Sequence, residues 1–301
     1  VSAVAQLVAW AALVLVVPGL VVRTKAWWAG RRGPPVLQLG WELRRLLHKR
    51  PVVSAVATPV FEAAPWVGLA AALAGVVVVP QLGADAPLSF RGDLVWLAYT
   101  AGLGRVARVA AALDTGSPFE GMGAARTAGF AVLTEPALFL LLGAGVLVGG
   151  DPTVSGALRF VVDDPASGLV WASMAAALVV VALVESSRMP VDDPTTHLEL
   201  TMVHEVTILD HSGPALAALQ LTSAVELTVG LSLLVALLLP TGLGPVVGAA
   251  AAVAGVLGAA VALGTLESLV ARLRMRAVPA FVGFGAAAAA AALVSTLWVA
   301  R

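Results

Sequence analysis

Apolar residues run along this chain in blocks of about twenty, and polar residues collect in the gaps between the blocks. A block of that length matches a helix crossing the hydrocarbon core of a bilayer. The pattern predicts eight such helices, over Ala3–Val22, Ala63–Leu82, Asp93–Leu113, Ala128–Gly149, Gly168–Ser187, Pro214–Leu239, Leu243–Leu266 and Ala277–Ala300. The first, seventh and eighth carry no charge until Glu267, just past the seventh. The third is the weakest, because Arg105 and Arg108 interrupt its end; their spacing of three places both on one helix face. The expected fold is therefore all-α and polytopic, one integral membrane domain over residues 1–301. No internal repeat is visible, which argues against an inverted-repeat transporter. The run Ala286–Ala292 reads as a small-residue helix face.

Two gaps are long, about 23–62 and 188–213. The first contains RRGPPVLQLGWELRRLLHKRP, with Val36, Leu37, Leu39, Leu43, Leu46 and Leu47 on one side and Arg44, Arg45, Lys49 and Arg50 on the other. That is an amphipathic helix in the plane of the membrane surface, with Trp41 as an interfacial anchor. It serves either as a plain anchor or as one wall of a lipid- or quinone-accessible opening. The second gap, with the residues before it, reads ESSRMPVDDPTTHLELTMVHEVTILDHSG and is the most polar stretch of the chain. Pro190 and Pro194 end the preceding helix. His197, His204 and His211 recur every seven residues and would share one face of a continuous helix. His204-Glu205 has no second histidine at position 208, so it does not make the zinc motif HExxH.

Composition agrees with a bilayer as the main solvent. The chain is 59% hydrophobic and 12% charged, where a water-soluble domain carries about 25% charged residues. Mean hydropathy is +0.95. Net charge is zero, which gives no footprint for nucleic acid. With no cysteine, the chain by itself holds neither a disulfide nor an iron–sulfur cluster. A cleavable signal is not expected, since the first apolar stretch is too long and has no basic segment before it.

Charge asymmetry predicts orientation. With the N-terminus outside, the inner loops and helix ends hold 15 of the 18 basic residues, leaving only Arg91, Arg159 and Arg301 outside. Both termini then face outward, as an even number of spans requires, and both long loops are cytoplasmic. A bacterial or archaeal inner membrane is the expected location.

Carboxylates inside spans are costly and mark a protein interior or a watery path. Glu226 falls near the middle of the sixth span, Glu135 two turns into the fourth, Glu185 at the inner end of the fifth and Glu267 at the end of the seventh. Together they read either as a chain of protonatable groups or as partners of inner arginines, and for Glu226 the first reading is favoured because no basic residue is close to it in sequence.

The segment ESSRMPVDDPTTHLEL resembles the signature loop of the NuoH family of complex I membrane proteins, and so do the Arg31-Arg32-Gly33-Pro34 turn and Arg126 followed by Glu135. Thr195 and His197 stand where the quinone-reducing branch carries glutamates. The run DDPTTHLELTMVHEVTILDHSG is closer to the membrane subunit of group 4 nickel–iron hydrogenases, the branch of formate hydrogenlyase subunit 4 and hydrogenase-4 component C. The resemblance implies a membrane-anchoring, proton- or cation-coupling subunit without a redox centre of its own. Its implied partners are hydrogenase-like large and small subunits, which carry the nickel–iron centre and iron–sulfur clusters, and antiporter-like membrane subunits. It further implies a proton path through Glu135, Glu185, Glu199, Glu226 and Glu267. The loop docking the soluble arm would hold Arg126, Arg188, Asp192, Asp193, His197, His204, Glu205, Asp210 and His211. The surface helix would present Trp41, Arg44, Arg45 and Lys49. The alternative is the quinone-binding subunit of an NADH–quinone oxidoreductase; a stand-alone transporter fits less well.

Overall fold

The computed structural model describes residues 3–162, 165–192 and 202–299. Among these, every regular element is a helix. Eight are long: α1 (Ala3–Trp28), α3 (Pro59–Val76), α4 (Asp93–Asp114), α5 (Pro118–Gly149), α7 (Pro165–Glu185), α8 (Gly213–Leu238), α9 (Pro245–Leu269) and α10 (Val278–Val299). Two are short, α2 (Gln38–Leu47) and α6 (Val154–Leu158), and a 3₁₀ turn covers Glu205–Ile208. Seven of the long helices are apolar enough to cross a membrane by length and composition. The eighth, α4, has the length but carries Asp93, Arg105, Arg108 and Asp114.

Helix ends differ from the hydropathy boundaries where proline sets them. Proline fits the first helical turn, whose N–H groups have no partner in the helix. Hence α3 starts at Pro59, behind a Thr58 cap that accepts from the Val60 N–H, and not at Ala63. It also stops at Val76, because residues 77–82 turn, with Leu82 at φ +50°. α5 starts at Pro118, ten residues before the apolar block. At 32 residues it is about 48 Å long, well beyond a hydrocarbon core of about 30 Å. Arg126 therefore stands on a helix, not in a loop. α1 likewise runs on to Trp28, past Val22.

α8 is the central helix. In its most apolar stretch 61% of residues are buried, against 28–44% in the other six spans. It touches α1, α2, α3, α6, α7 and α9. Around it, α3 packs on α4, α4 on α5, α5 and α7 on α10, and α1 on α9. The largest apolar cluster lies between α5, α7, α8 and α10 and includes Leu141, Leu142, Met174, Leu178, Leu233 and Leu237. At one end, Asp93 clips the loops together: its carboxylate accepts from the Val154 N–H at 2.7 Å and from the Ser89 hydroxyl at 3.3 Å. At the other end, Gly123 lets the 3₁₀ turn seat on α5, since a Cβ there would lie 2.3 Å from Val206 Cγ1.

Candidate functional site: an ion-pair cluster centred on α4

Arg105 and Arg108 are one turn apart on α4 and both point into the bundle, where three carboxylates from three other helices meet them. Nη1 of Arg105 donates to Glu135 of α5, and its Nη2 donates to Glu185 at the end of α7. Nη2 of Arg108 donates to Glu226 of α8 at 2.6 Å. The helix that hydropathy ranks lowest is thus the one that supplies both cations. A charged side chain inside a span is held there by its partners, and α4 keeps its place through α5, α7 and α8.

The second nitrogen of Arg108 lies 3.2 Å from Nδ1 of His204. A guanidinium only donates, so Nδ1 must accept and the imidazole proton sits on Nε2. Nε2 is 2.9 Å from Oγ of Ser223, which in turn donates to the Leu219 carbonyl at 3.1 Å. The order of donation is fixed along the whole row: Arg108, His204, Ser223, Leu219. His204 is accordingly neutral; burial first, then the Arg108 and Arg188 charges, lower its pKa to about 3. A cavity of about 30 Å³ opens among Arg105, Arg108, Thr134, Glu185, Ser187 and His204, room for a water molecule or two.

Two further clusters flank this one. Glu267 on α9 is fully buried, 3.0 Å from Lys25 of α1 and 3.5 Å from Arg188. Asp192, 1% exposed, accepts from Arg272 at 2.7 Å and from the backbone N–H groups of Val203 and His204 at 3.1 and 2.9 Å. It therefore ties together the two ends of the polar loop. Arg126 donates to the Met202 carbonyl at 2.7 Å, beside that knot.

Of the acids singled out in the sequence, Glu135, Glu185 and Glu226 come together and Glu267 stands apart on the α1–α9 seam. Asp193, His197 and Glu199 lie outside the described residues. His204 and His211 do not share a helix face. Between His204 and His211 the chain makes only the 3₁₀ turn and then bends, so the two rings diverge. His211 stacks on Phe61 with ring centroids 3.9 Å apart and planes 5° apart, and burial lowers its pKa to about 4. His204, His211 and Asp192 turn inward, Glu205 is half-buried, and Asp210 is exposed. On α2 only Leu46 is buried; Trp41, Arg44, Arg45 and Lys49 are exposed, and Arg45 pairs with Glu42.

Sequence reasoning passed over three groups. Arg105 and Arg108 were visible as two cations at helical spacing in an otherwise apolar block, a signal of buried partners rather than of a weak span. Lys25 had no such signal. Glu120 had none either: it is fully buried, and its carboxylate accepts from the Asp210 N–H at 3.1 Å, fastening the polar loop to the start of α5. Among the described residues no three His, Asp or Glu side chains gather as metal ligands.

A multi-pass helical bundle with charges paired between its spans defines the class, that of a polytopic integral membrane protein. The family model described as NADH dehydrogenase matches residues 1–300, and the chain belongs to that family. It is 30% identical over 271 residues to formate hydrogenlyase subunit 4 of Escherichia coli (strain K12), covering 85% of both chains. It is also 30% identical over 243 residues to hydrogenase-4 component C of the same organism, covering 80% of this chain and 75% of that one. Among solved structures it resembles a chain of the membrane-bound sulfane sulfur reductase, an archaeal respiratory membrane complex. There the TM-score is 0.79 and 98% of each chain is covered; identity is 16%, so that likeness shows the fold alone. The chain is a membrane subunit related to those of complex I-like and hydrogenase-type oxidoreductases, and its family role is that of a membrane-anchoring subunit.

Proposed function

We propose that this chain is the proton- or cation-coupling membrane subunit of a hydrogenase-type oxidoreductase. It would hold the large and small electron-transfer subunits on its arginine-rich side, the cytoplasmic side of a cell membrane, and connect them to antiporter-like membrane subunits. The observation that carries this reading is the set of ionisable groups gathered around α4. Two guanidiniums face three carboxylates, while Arg188 and Lys25 are engaged with Glu267. Ionisable groups from four helices that meet inside a membrane bundle mark a protein interior or a watery path. Arg105 bridges Glu135 and Glu185, so a shift of its guanidinium toward one would leave the other without that partner.

Glu135 supports a sideways connection. Its side chain is 47% exposed on the lateral surface of α5, among the exposed Val132, Leu133 and Phe139. A carboxylate at that depth calls for a protein neighbour or water rather than lipid. Nearest to hand is a neighbouring membrane subunit.

The test replaces Glu226 by Gln in the complete complex. Proton-coupled turnover is expected to fall at least tenfold while all subunits still co-purify. Coupled turnover at the unaltered rate would refute the role of the cluster. Mass spectrometry of the same preparation checks the partners: a nickel–iron large subunit and an iron–sulfur small subunit are expected, and the chain isolated alone would count against the assembly.

A second reading, a quinone-binding subunit, is supported by one feature. A cavity of about 220 Å³ lies beyond α2, lined by Pro51, Val52, Phe61, Trp66, His211 and Pro214. It is mostly apolar, with the Phe61–His211 stack as one wall. Labelling of this cavity by a photoreactive quinone, measured in the complete complex, would favour that reading.

A further inference from the structure

The chain turns back on itself at the end of α1. Arg23 and Trp27 are one turn apart and so share a face. Just past the helix, Gly30 takes φ +66° and the Arg31 N–H donates back to the Ala26 carbonyl at 2.8 Å. This reverses the chain. At Gly33 the returning backbone runs so close to α1 that a Cβ there would lie 3.0 Å from the Cα of Arg23. The reversal therefore brings Arg31 and Arg32 back beside Arg23, and all three are exposed. Among the described ion pairs none involves them. Glu267, the buried acid on the α1–α9 seam, is taken by Lys25 and Arg188.

Two tryptophans stand at the same level. Trp27 is 72% exposed. Trp28 is pinned by its indole N–H to the Thr265 hydroxyl of α9 at 3.1 Å, which fixes the α1–α9 seam beneath the arginines. Indole rings settle at the boundary between hydrocarbon and headgroups. Three guanidiniums outside the described ion pairs, just beyond that boundary, match a phosphodiester, which accepts paired N–H donors from arginine.

We propose that the end of α1 binds the headgroup of an anionic phospholipid, with Arg23, Arg31 and Arg32 around the phosphate and Trp27 against the glycerol and upper acyl chain. This rests on α1 crossing the membrane and on the docked subunits of the proposed function leaving this turn uncovered; it does not depend on the coupling mechanism. A topological signal alone would need the positive charges but not the reversal that gathers them, nor the exposed ring below.

The test uses the complete complex in nanodiscs with phosphatidylglycerol titrated into a phosphatidylcholine background, and native mass spectrometry to count retained lipid. The variant Arg23→Gln/Arg31→Gln/Arg32→Gln is compared with Arg274→Gln/Arg276→Gln, which removes charge elsewhere in the chain. Each arginine at the membrane surface changes affinity for an anionic lipid about fivefold. The triple variant is therefore expected to lose retained phosphatidylglycerol at least tenfold, and the double variant to keep it. If the triple variant does not assemble, Arg31→Gln alone is expected to show the fivefold loss, and Trp27→Leu a smaller one with all charges intact. Equal loss in both arginine variants would reduce the site to diffuse surface charge. Unchanged retention, or a cross-link from position 31 to a partner protein, would overturn it.

Discussion

The two halves of α8 have opposite surroundings. Up to the middle of the helix, Ser223 and Glu226 face His204 and Arg108, at 2.9 and 2.6 Å. In the second half, Leu231, Leu233, Val235 and Leu237 pack into apolar clusters with α1, α5, α7 and α9. Thr228 and Thr222 spend their hydroxyls on carbonyls four residues back, within the helix. The ion pairs of α8 therefore stop at Glu226; beyond it the packing is apolar apart from the buried Thr228 and Ser232. Glu226 pairs with Arg108, which stands one turn from Arg105 on α4; Arg105 in turn holds Glu135 at the lateral surface. On the proposed function, such a bundle would pass charge to a neighbouring subunit rather than straight across.

The largest effect expected from breaking the polar half is Arg105→Leu. It leaves Glu135 and Glu185 without their guanidinium, and removing one partner of a buried pair costs about 3–5 kcal/mol. The complex should fail to accumulate, and Arg105→Leu/Glu185→Gln should recover part of the yield; equal yields for both would show that the pair is not what holds α4 in place. In the apolar half, Leu233→Arg should cost about 3 kcal/mol, the penalty of a cation at the centre of a span. Thermal melting of the purified complex would read it, and an unchanged melt would mean that the second half is wetter than its packing indicates.

A smaller effect separates the loop from the spans. His211 and His204 have pKa values lowered to about 4 and about 3, against 6.5 for the free side chain. Between pH 6.5 and 4 the unfolded chain binds protons at these positions and the folded chain does not, so stability is full above pH 6.5 and is lost as pH falls through that window. The melting temperature should drop on going from pH 7 to pH 5, and His211→Phe, which keeps a ring against Phe61, should reduce the drop. The smallest effect belongs to the surface: Arg45→Gln on α2 breaks only an exposed pair with Glu42, and the melt should not change measurably.

Much of the fold was legible because a bilayer imposes one rule on the sequence. Each spanning helix must present about twenty apolar residues in a row, and that requirement is local. It fixed the helical class and the positions of α1, α8, α9 and α10 to within a few residues, except that α1 runs six residues further. It could not place the starts of α3 and α5, because proline begins a helix in polar sequence that hydropathy does not count. Glu135, Glu185, Glu226 and Glu267 were legible too, each being anomalous in its own block.

Their partners were not. Glu226 has no cation within a turn of it on α8, and Arg108 lies 118 residues earlier on a different helix. The same holds for Glu185 and Arg105, 80 residues apart, and for the Lys25–Glu267 pair across the α1–α9 seam. Periodicity says which face of a helix a residue occupies, but not which helix that face meets. The sequence by itself determined that this is a helical membrane protein with ionisable groups buried inside it. Only the tertiary structure decided that α4 supplies the counter-charges, because pairing across a bundle depends on helix order and depth, which no single helix encodes.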